Sequence, residues 1–251
     1  MSIEKHTKNL IYKKSSCIYY CLYGDIRYKE ILHLSVLSLN KFFPKEDIFV
    51  FSEYDIPEFN QYCNLITVEF PQGYAKPMAY RLILGKILLQ KYDNVLHLDA
   101  DTLVFDNVDN IFSCFENNKI SFATETPNNP DKIIDQYWAG PLLDEEDKIK
   151  YSNVDSLCCG VFGFNGSMYE NLEDIYNFIC ECEDSGFSAI CRDQHGFTTY
   201  VLKNNMYNYN LQKYVEHFPK EESTGFKIYH FAGGVCSGNK YDIMKKFLKL
   251  F

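Results

Sequence analysis

The chain has 251 residues, 46% of them hydrophobic and 24% charged, and a formal net charge of −9. That length and composition suit a globular protein whose own core can hold it together without disulfide or metal staples. The acidic balance argues against a general nucleic-acid binder, because gripping phosphates takes clustered Lys and Arg.

Taken in order, residues 17–23 read as a buried strand that ends at Gly24. Ile31, Leu34, Leu37 and Leu39 then recur at helical spacing until Phe43-Pro44 stops the run. Residues 47–52 and 65–70 are further strands, residues 77–91 a helix carrying Leu82, Leu84, Ile87 and Leu88, and residues 94–98 the next strand. This βαβ rhythm predicts a largely parallel sheet with helices on its faces. Past Asp109 the pattern loosens. A strand is expected over 120–124, a loop-rich insertion over 127–152, a strand over 161–164, and helices over 167–182 and 193–203. A strand over 227–231 and a closing amphipathic helix over 241–251 complete the chain. Insertions as long as 127–152 usually shape a binding site, and Tyr137 and Trp138 are its candidate stacking aromatics, with a core role equally open for Trp138. There is no internal repeat or linker, so a single domain spanning 1–251 is expected.

No window reaches the roughly 18 apolar residues of a membrane helix. The basic N-terminal segment has no apolar run behind it to make a signal peptide, so a cytoplasmic location is the default. The ten cysteines fit reduced thiols, since neither Cys158-Cys159 nor Cys180-Glu181-Cys182 has zinc-knuckle spacing.

The densest signal is Val95-Leu96-His97-Leu98-Asp99-Ala100-Asp101-Thr102, an apolar strand running straight into two acids. Ligands of open α/β sheets gather at the carboxyl ends of strands. Two carboxylates placed there repel unless a cation or protons offset their charge. Hard oxygen donors suit Mg²⁺ or Mn²⁺, which commonly carry a nucleotide diphosphate as well. Two other readings stay open: a turn in which an Asp caps the next segment, or the D-x-D-x-T nucleophile motif of haloacid-dehalogenase-type phosphatases.

Residues 91–112 (KYDNVLHLDADTLVFDNVDNIF) resemble the central motif of the glycogenin-like and galactosyltransferase-like glycosyltransferases of family 8. Ala79-Tyr80-Arg81-Leu82-Ile83-Leu84-Gly85 is similar to that family's arginine-bearing helix. The resemblance implies a GT-A (Rossmann-like) α/β domain with a mostly parallel central sheet, flanking helices and a small antiparallel addition. It implies a UDP-sugar donor cradled by Cys21, Leu22, Tyr23 and Tyr28, with Ala100 and Gly233 also against the nucleotide and Arg81 and Lys240 on the phosphates. Asp101 and the late His230 become ligands of Mn²⁺ or Mg²⁺, Asp99 contacts that ion or the donor's ribose, and Asp193 and Gln194 lie at the reacting sugar beside Arg81. The implied activity is hexose transfer to an acceptor hydroxyl with retention of configuration; the acceptor is a carbohydrate, glycoprotein or lipid-linked molecule, and a homodimer is compatible with the pattern. A sugar-nucleotide hydrolase, phosphatase or nucleotidyltransferase is the alternative, as is a catalytically silent UDP-sugar-binding relative. Two positions depart from the family. Cys158 stands where an Asn is usual, and Gly234-Val235-Cys236-Ser237-Gly238-Asn239-Lys240 lacks the usual Lys-Pro-Trp.

Overall fold

The computed structural model describes residues 14–125, 131–187, 191–220, 223–232 and 240–249. Inside its main sheet lies β1 (Lys14–Leu22), flanked in parallel by β2 (Ile48–Ser52) and by the central strand β4 (Tyr92–Leu98), with β3 (Asn64–Thr67) outside β2. The run Cys17-Ile18-Tyr19-Tyr20 is buried throughout, as befits a strand covered on both faces. Tyr19 points into one core layer and Tyr20 into the other. Beyond β4 come β7 (Val161–Asn165), antiparallel to both β4 and β6 (Ile120–Phe122), and the short β8 (Tyr207–Asn208) beside β6. The result is a seven-stranded, mostly parallel sheet with helices on its faces.

On one face, α2 (Lys76–Leu88) packs with α4 (Asn171–Asp184), which in turn meets α5 (Gln194–Lys203). The first turn of α2 leaves backbone N–H groups without helical partners. Glu183 accepts from three of that region's, those of Tyr74, Ala75 and Lys76, at 2.8–2.9 Å. Gly85 lets α2 approach the sheet, since a Cβ there would stand 2.6 Å from Phe164 Cζ and 2.9 Å from Tyr19 Oη. Tyr19 Oη also donates to the Arg81 carbonyl at 2.7 Å, which fixes that turn of the helix over β1.

On the other face, α1 (Tyr28–Leu39) turns Ser35 and Ser38 inward along with its apolar residues. Ser38 Oγ accepts from the Val104 N–H at 2.9 Å, and Ser35 Oγ bonds Thr102 Oγ1 at 2.9 Å. These bonds pin β5 (Thr102–Val104), which belongs to a second sheet. In it, β10 (Ile228–His230) runs antiparallel to β5 and parallel to β9 (Val215–His217). Across that sheet His230 lies opposite both Thr102 and His217. The last helix, α6 (Lys240–Phe247), packs against α1.

Several expected elements shift. The strand foreseen over 65–70 ends at Thr67. The helix foreseen over 167–182 divides into a 3-10 turn at Gly166–Met168 and then α4, because the Asn165 side chain accepts from the Ser167 N–H and caps the turn by itself. The described part of the 127–152 insertion holds a short helix, α3 (Glu145–Tyr151), capped by Asp144. In the same segment Trp138 is fully buried core and Tyr137 is exposed. Strands β5, β8 and β9 were not expected. No described helix is long and apolar enough to cross a membrane.

Candidate active site

Asp99 leaves the carboxyl end of β4, held by its backbone N–H on the Gly160 carbonyl at 2.8 Å. Its Oδ1 accepts from Arg81 Nη1 at 3.2 Å and lies 3.1 Å from His97 Nε2. His97 and Asp99 are alternate residues of one strand end, so their side chains fall on one side. Burial, against the pull of Asp99, lowers His97 to about 4. A neutral ring donating through Nε2 satisfies Asp99, and the longer 3.5 Å approach of Arg81 to the same nitrogen is secondary.

Arg81 projects from α2 and is buried over the ring of Phe162, 5.2 Å from its centroid. Its Nη2 donates to Asp193 Oδ2 at 2.9 Å. Burial opposes the charge on Arg81, but Asp193 and Asp99 outweigh it and hold the guanidinium protonated. Asp193 sits just before α5 without capping it. Gln194 beside it donates from Nε2 to the Tyr137 carbonyl at 2.9 Å.

Asp101 faces the small sheet. Its Oδ1 lies 3.2 Å from His230 Nε2, and its Oδ2 lies 2.5 Å from Lys240 Nζ. Burial favours the neutral acid, yet His230 and then Lys240 overcome that and draw Asp101 down to about 2. His230 is pulled the opposite way: burial disfavours its charge, while Asp101 and Asp99 raise it. Asp99 Oδ2 stands 3.8 Å from the same His230 nitrogen.

Asp99, Asp101 and His230 thus offer one donor atom each within 4.8 Å of one another. Two carboxylates and an imidazole suit a divalent cation with mixed oxygen and nitrogen preference. Gly160 leaves the space they share. A Cβ on it would come within 2.1 Å of His230 Cε1 and 2.7 Å of Asp99 Oδ2. The donor set therefore fits the expected ion in chemistry and in room.

The other expected residues are spread around this cluster. Leu22 is core, leaving only backbone to offer, and its carbonyl accepts from the Glu53 N–H. Cys21 and Ala100 are half-buried. Tyr23 is half-buried and leans on Phe70 with centroids 5.0 Å apart. Tyr28 is exposed, with Lys240 Nζ 5.8 Å above its ring. Gly233, Gly234 and the rest of 233–239 lie outside the described residues.

Four contributors went unforeseen in the sequence. His97 touches the Asp99 carboxylate, and Gly160 holds the Asp99 backbone N–H. His217 sits behind His230, with their Nδ1 atoms 2.8 Å apart. Burial lifts the half-buried Glu125 to about 7, partly countered by His230. Of these, His97 was legible as the residue two before Asp99 on an alternating strand. A cavity of about 240 Å³ opens between Tyr74, Glu183, Arg192 and Gly196, but none of the carboxylates at 99, 101 and 193 lines it.

Residues 2–158 match the family model described as glycosyl transferase family 8. No curated protein matches the sequence. Among solved structures, the apo-form glycosyltransferase GlyE of Streptococcus pneumoniae TIGR4 superposes with a TM-score of 0.60 at 13% identity, covering 94% of this chain and 60% of that one. At that identity the likeness is one of fold, and the present chain spans about 60% of the length of that protein. The fold is accordingly the GT-A-like α/β arrangement with its small antiparallel addition. The family match includes Arg81, Asp99 and Asp101 and ends at Cys158, before Asp193, Gln194, His230 and Lys240.

Proposed function

The chain belongs to glycosyl transferase family 8, and from that premise we propose that it moves a hexose from a UDP-sugar to an acceptor hydroxyl with retention of configuration. The observation that carries this reading is the meeting of Asp99, Asp101 and His230 at the carboxyl end of β4, with Arg81 and Lys240 on either side. Asp99, Asp101 and His230 would hold Mn²⁺ or Mg²⁺; such an ion, when bound, offsets charge on a diphosphate leaving group.

The remaining work falls to the chain's own groups. Arg81, fixed by two carboxylates in a low-dielectric setting, presents a constant positive charge that needs no reorganisation as the donor bond breaks. Lys240 carries a compact charge on a flexible stem, suited to following a phosphate. The Asp193 carboxylate is engaged by Arg81 at 2.9 Å and almost wholly buried, and Gln194 is a poor nucleophile. Neither favours a covalent sugar–enzyme intermediate. Same-face attack, with the departing phosphate taking the acceptor's proton, is the path that needs no further group. Tyr23 and Tyr28 offer aromatic faces for the uracil, at a typical gain of about 1–3 kcal/mol per stacked base.

Calorimetric titration of UDP with and without Mn²⁺ tests the reading. Tight binding only with Mn²⁺, abolished together with turnover in Asp101→Ala, is expected. Equal binding without the ion, or turnover surviving that substitution, overturns the metal assignment. Proton NMR of the product checks stereochemistry, and a β-linked product from an α-linked donor overturns retention.

A further inference from the structure

His230 has a second face. While Nε2 turns to the aspartates, Nδ1 meets His217 Nδ1 at 2.8 Å and Cys158 Sγ at 3.6 Å, and Cys158 Sγ lies 3.3 Å from His217 Nδ1. All three side chains are buried, each residue 3% exposed. The pairing of β9 with β10 sets His217 directly opposite His230, so both imidazoles leave the small sheet on one side. Cys158 meets them from the segment that leads into β7.

We propose that Cys158, His217 and His230 form a second cation site, selective for a soft divalent ion of the zinc class. A tetrahedral zinc with ordinary bond lengths holds a sulfur and a nitrogen about 3.6 Å apart, and two nitrogens about 3.3 Å apart. The two sulfur–nitrogen spans are already near that value, and the imidazoles need part by only about half an ångström. One thiolate and two imidazoles favour Zn²⁺ or Co²⁺ over Mn²⁺ and Mg²⁺, which prefer oxygen. No carboxylate is among the three donors that converge here. The two sites therefore select different ions although they share a ring.

Proton balance follows from the donors. As the sulfur–metal bond forms, the Cys158 thiol proton passes to solvent, and the proton that joins the facing Nδ1 atoms of His217 and His230 is displaced as well, to solvent or to the far nitrogen of its own ring. Burial, then the charge of Glu125, pushes that thiol well above its usual range. It stays protonated until a metal displaces the proton. A metal on His230 Nδ1 leaves the ring's remaining proton on Nε2, facing Asp101 Oδ1 at 3.2 Å. If the preceding section's reading of His230 is right, filling the soft site also withdraws that nitrogen from the carboxylate site.

Cobalt(II) titration of the full chain, reduced and under argon, tests the soft site without UDP, Mn²⁺ or turnover. One equivalent of Co²⁺ is expected to give sulfur-to-cobalt charge-transfer absorption and intense tetrahedral d–d bands. Cys158→Ser should lose the charge-transfer band, and His217→Gln should lose the tetrahedral pattern. Asp101→Asn should keep both. A weak octahedral spectrum in the wild type overturns the proposal. So does a thiolate band that survives Cys158→Ser, which would belong to another of the ten cysteines. So does loss of the band in Asp101→Asn, which would put the ion on the carboxylates. Circular dichroism of each variant confirms that lost bands do not reflect lost fold.

Discussion

Around Asp99 the neighbours are Arg81, His97 and Gly160, carried by α2, by β4 and by the approach to β7, whereas Asp101 meets His230 and Lys240, carried by β10 and α6. The first region belongs to the seven-stranded sheet and its helices. Its cation is a planar, permanently charged fork locked between two carboxylates. The second region belongs to the three-stranded sheet, and its positive groups are a titratable ring and an ammonium on a flexible stem. Two acids on one turn are thus supported in different ways: one by a fixed ion-pair network, the other by groups able to yield to a ligand. The difference gives one tripeptide two kinds of support.

The most severe challenge to that contrast is Arg81→Met. It leaves Asp99 and Asp193 without their shared partner, and breaking a buried pair from one side costs about 3–5 kcal/mol. Urea unfolding measures it, and a loss below that of the other variants would show that Arg81 is not the structural cation. Gly160→Ala strikes the seam between the regions, where the new methyl meets His230 and Asp99. Overpacking of this kind costs about 1–3 kcal/mol. Mn²⁺-dependent UDP binding should fall further than stability does.

Glu183→Gln removes the charge that holds the start of α2, at about 0.5–2 kcal/mol by analogy with other helix caps. Burial works to raise the Glu183 carboxyl, but the N–H groups of Tyr74, Ala75 and Lys76 prevail and lower it. Its folded value is therefore below its unfolded one. Its stabilisation is present above the unfolded value near 4.3 and is lost as pH falls through the folded one. Wild type and variant should converge in acid, which unfolding midpoints across that range will show. Lys240→Met should have the smallest effect on stability, because Asp101 keeps His230 as its partner. It should still weaken UDP binding, and a stability loss equal to that of Arg81→Met would erase the contrast between the two regions.

The sequence displays the first region far better than the second. β1 and β4 are apolar runs buried on both faces, and α2 carries apolar residues at helical spacing, so both kinds of element are visible in one dimension. β5, β8 and β9 are two or three residues long, too short for any period to register. His217 lies in Val215-Glu216-His217 with nothing nearby to mark it; only strand register places it against His230. Trp138, a candidate for sugar stacking, is core because residues around it fold back onto α5. Arg81 emerged from likeness to a family helix rather than from spacing, and its pairing with Asp193 needed the fold. Asp99 and Asp101 stood out in the sequence as a pair, yet their division between two supports did not.

The antiparallel pairing of β5 with β10 also bears on the order in which the molecule assembles. β5 follows Asp101 immediately, while β10 begins at Ile228, so their ladder closes a loop spanning roughly half the chain. Contacts so distant in sequence are slow to form, because chain entropy is lost before they repay it. Asp99 and Asp101, at the end of β4 beside β1, can be in position while His230 is still arriving. Under the proposed metal assignment, Mn²⁺-dependent ligand binding should return in refolding after the far-ultraviolet signal of the main sheet, making the docking of His230 a marker that the chain has finished folding.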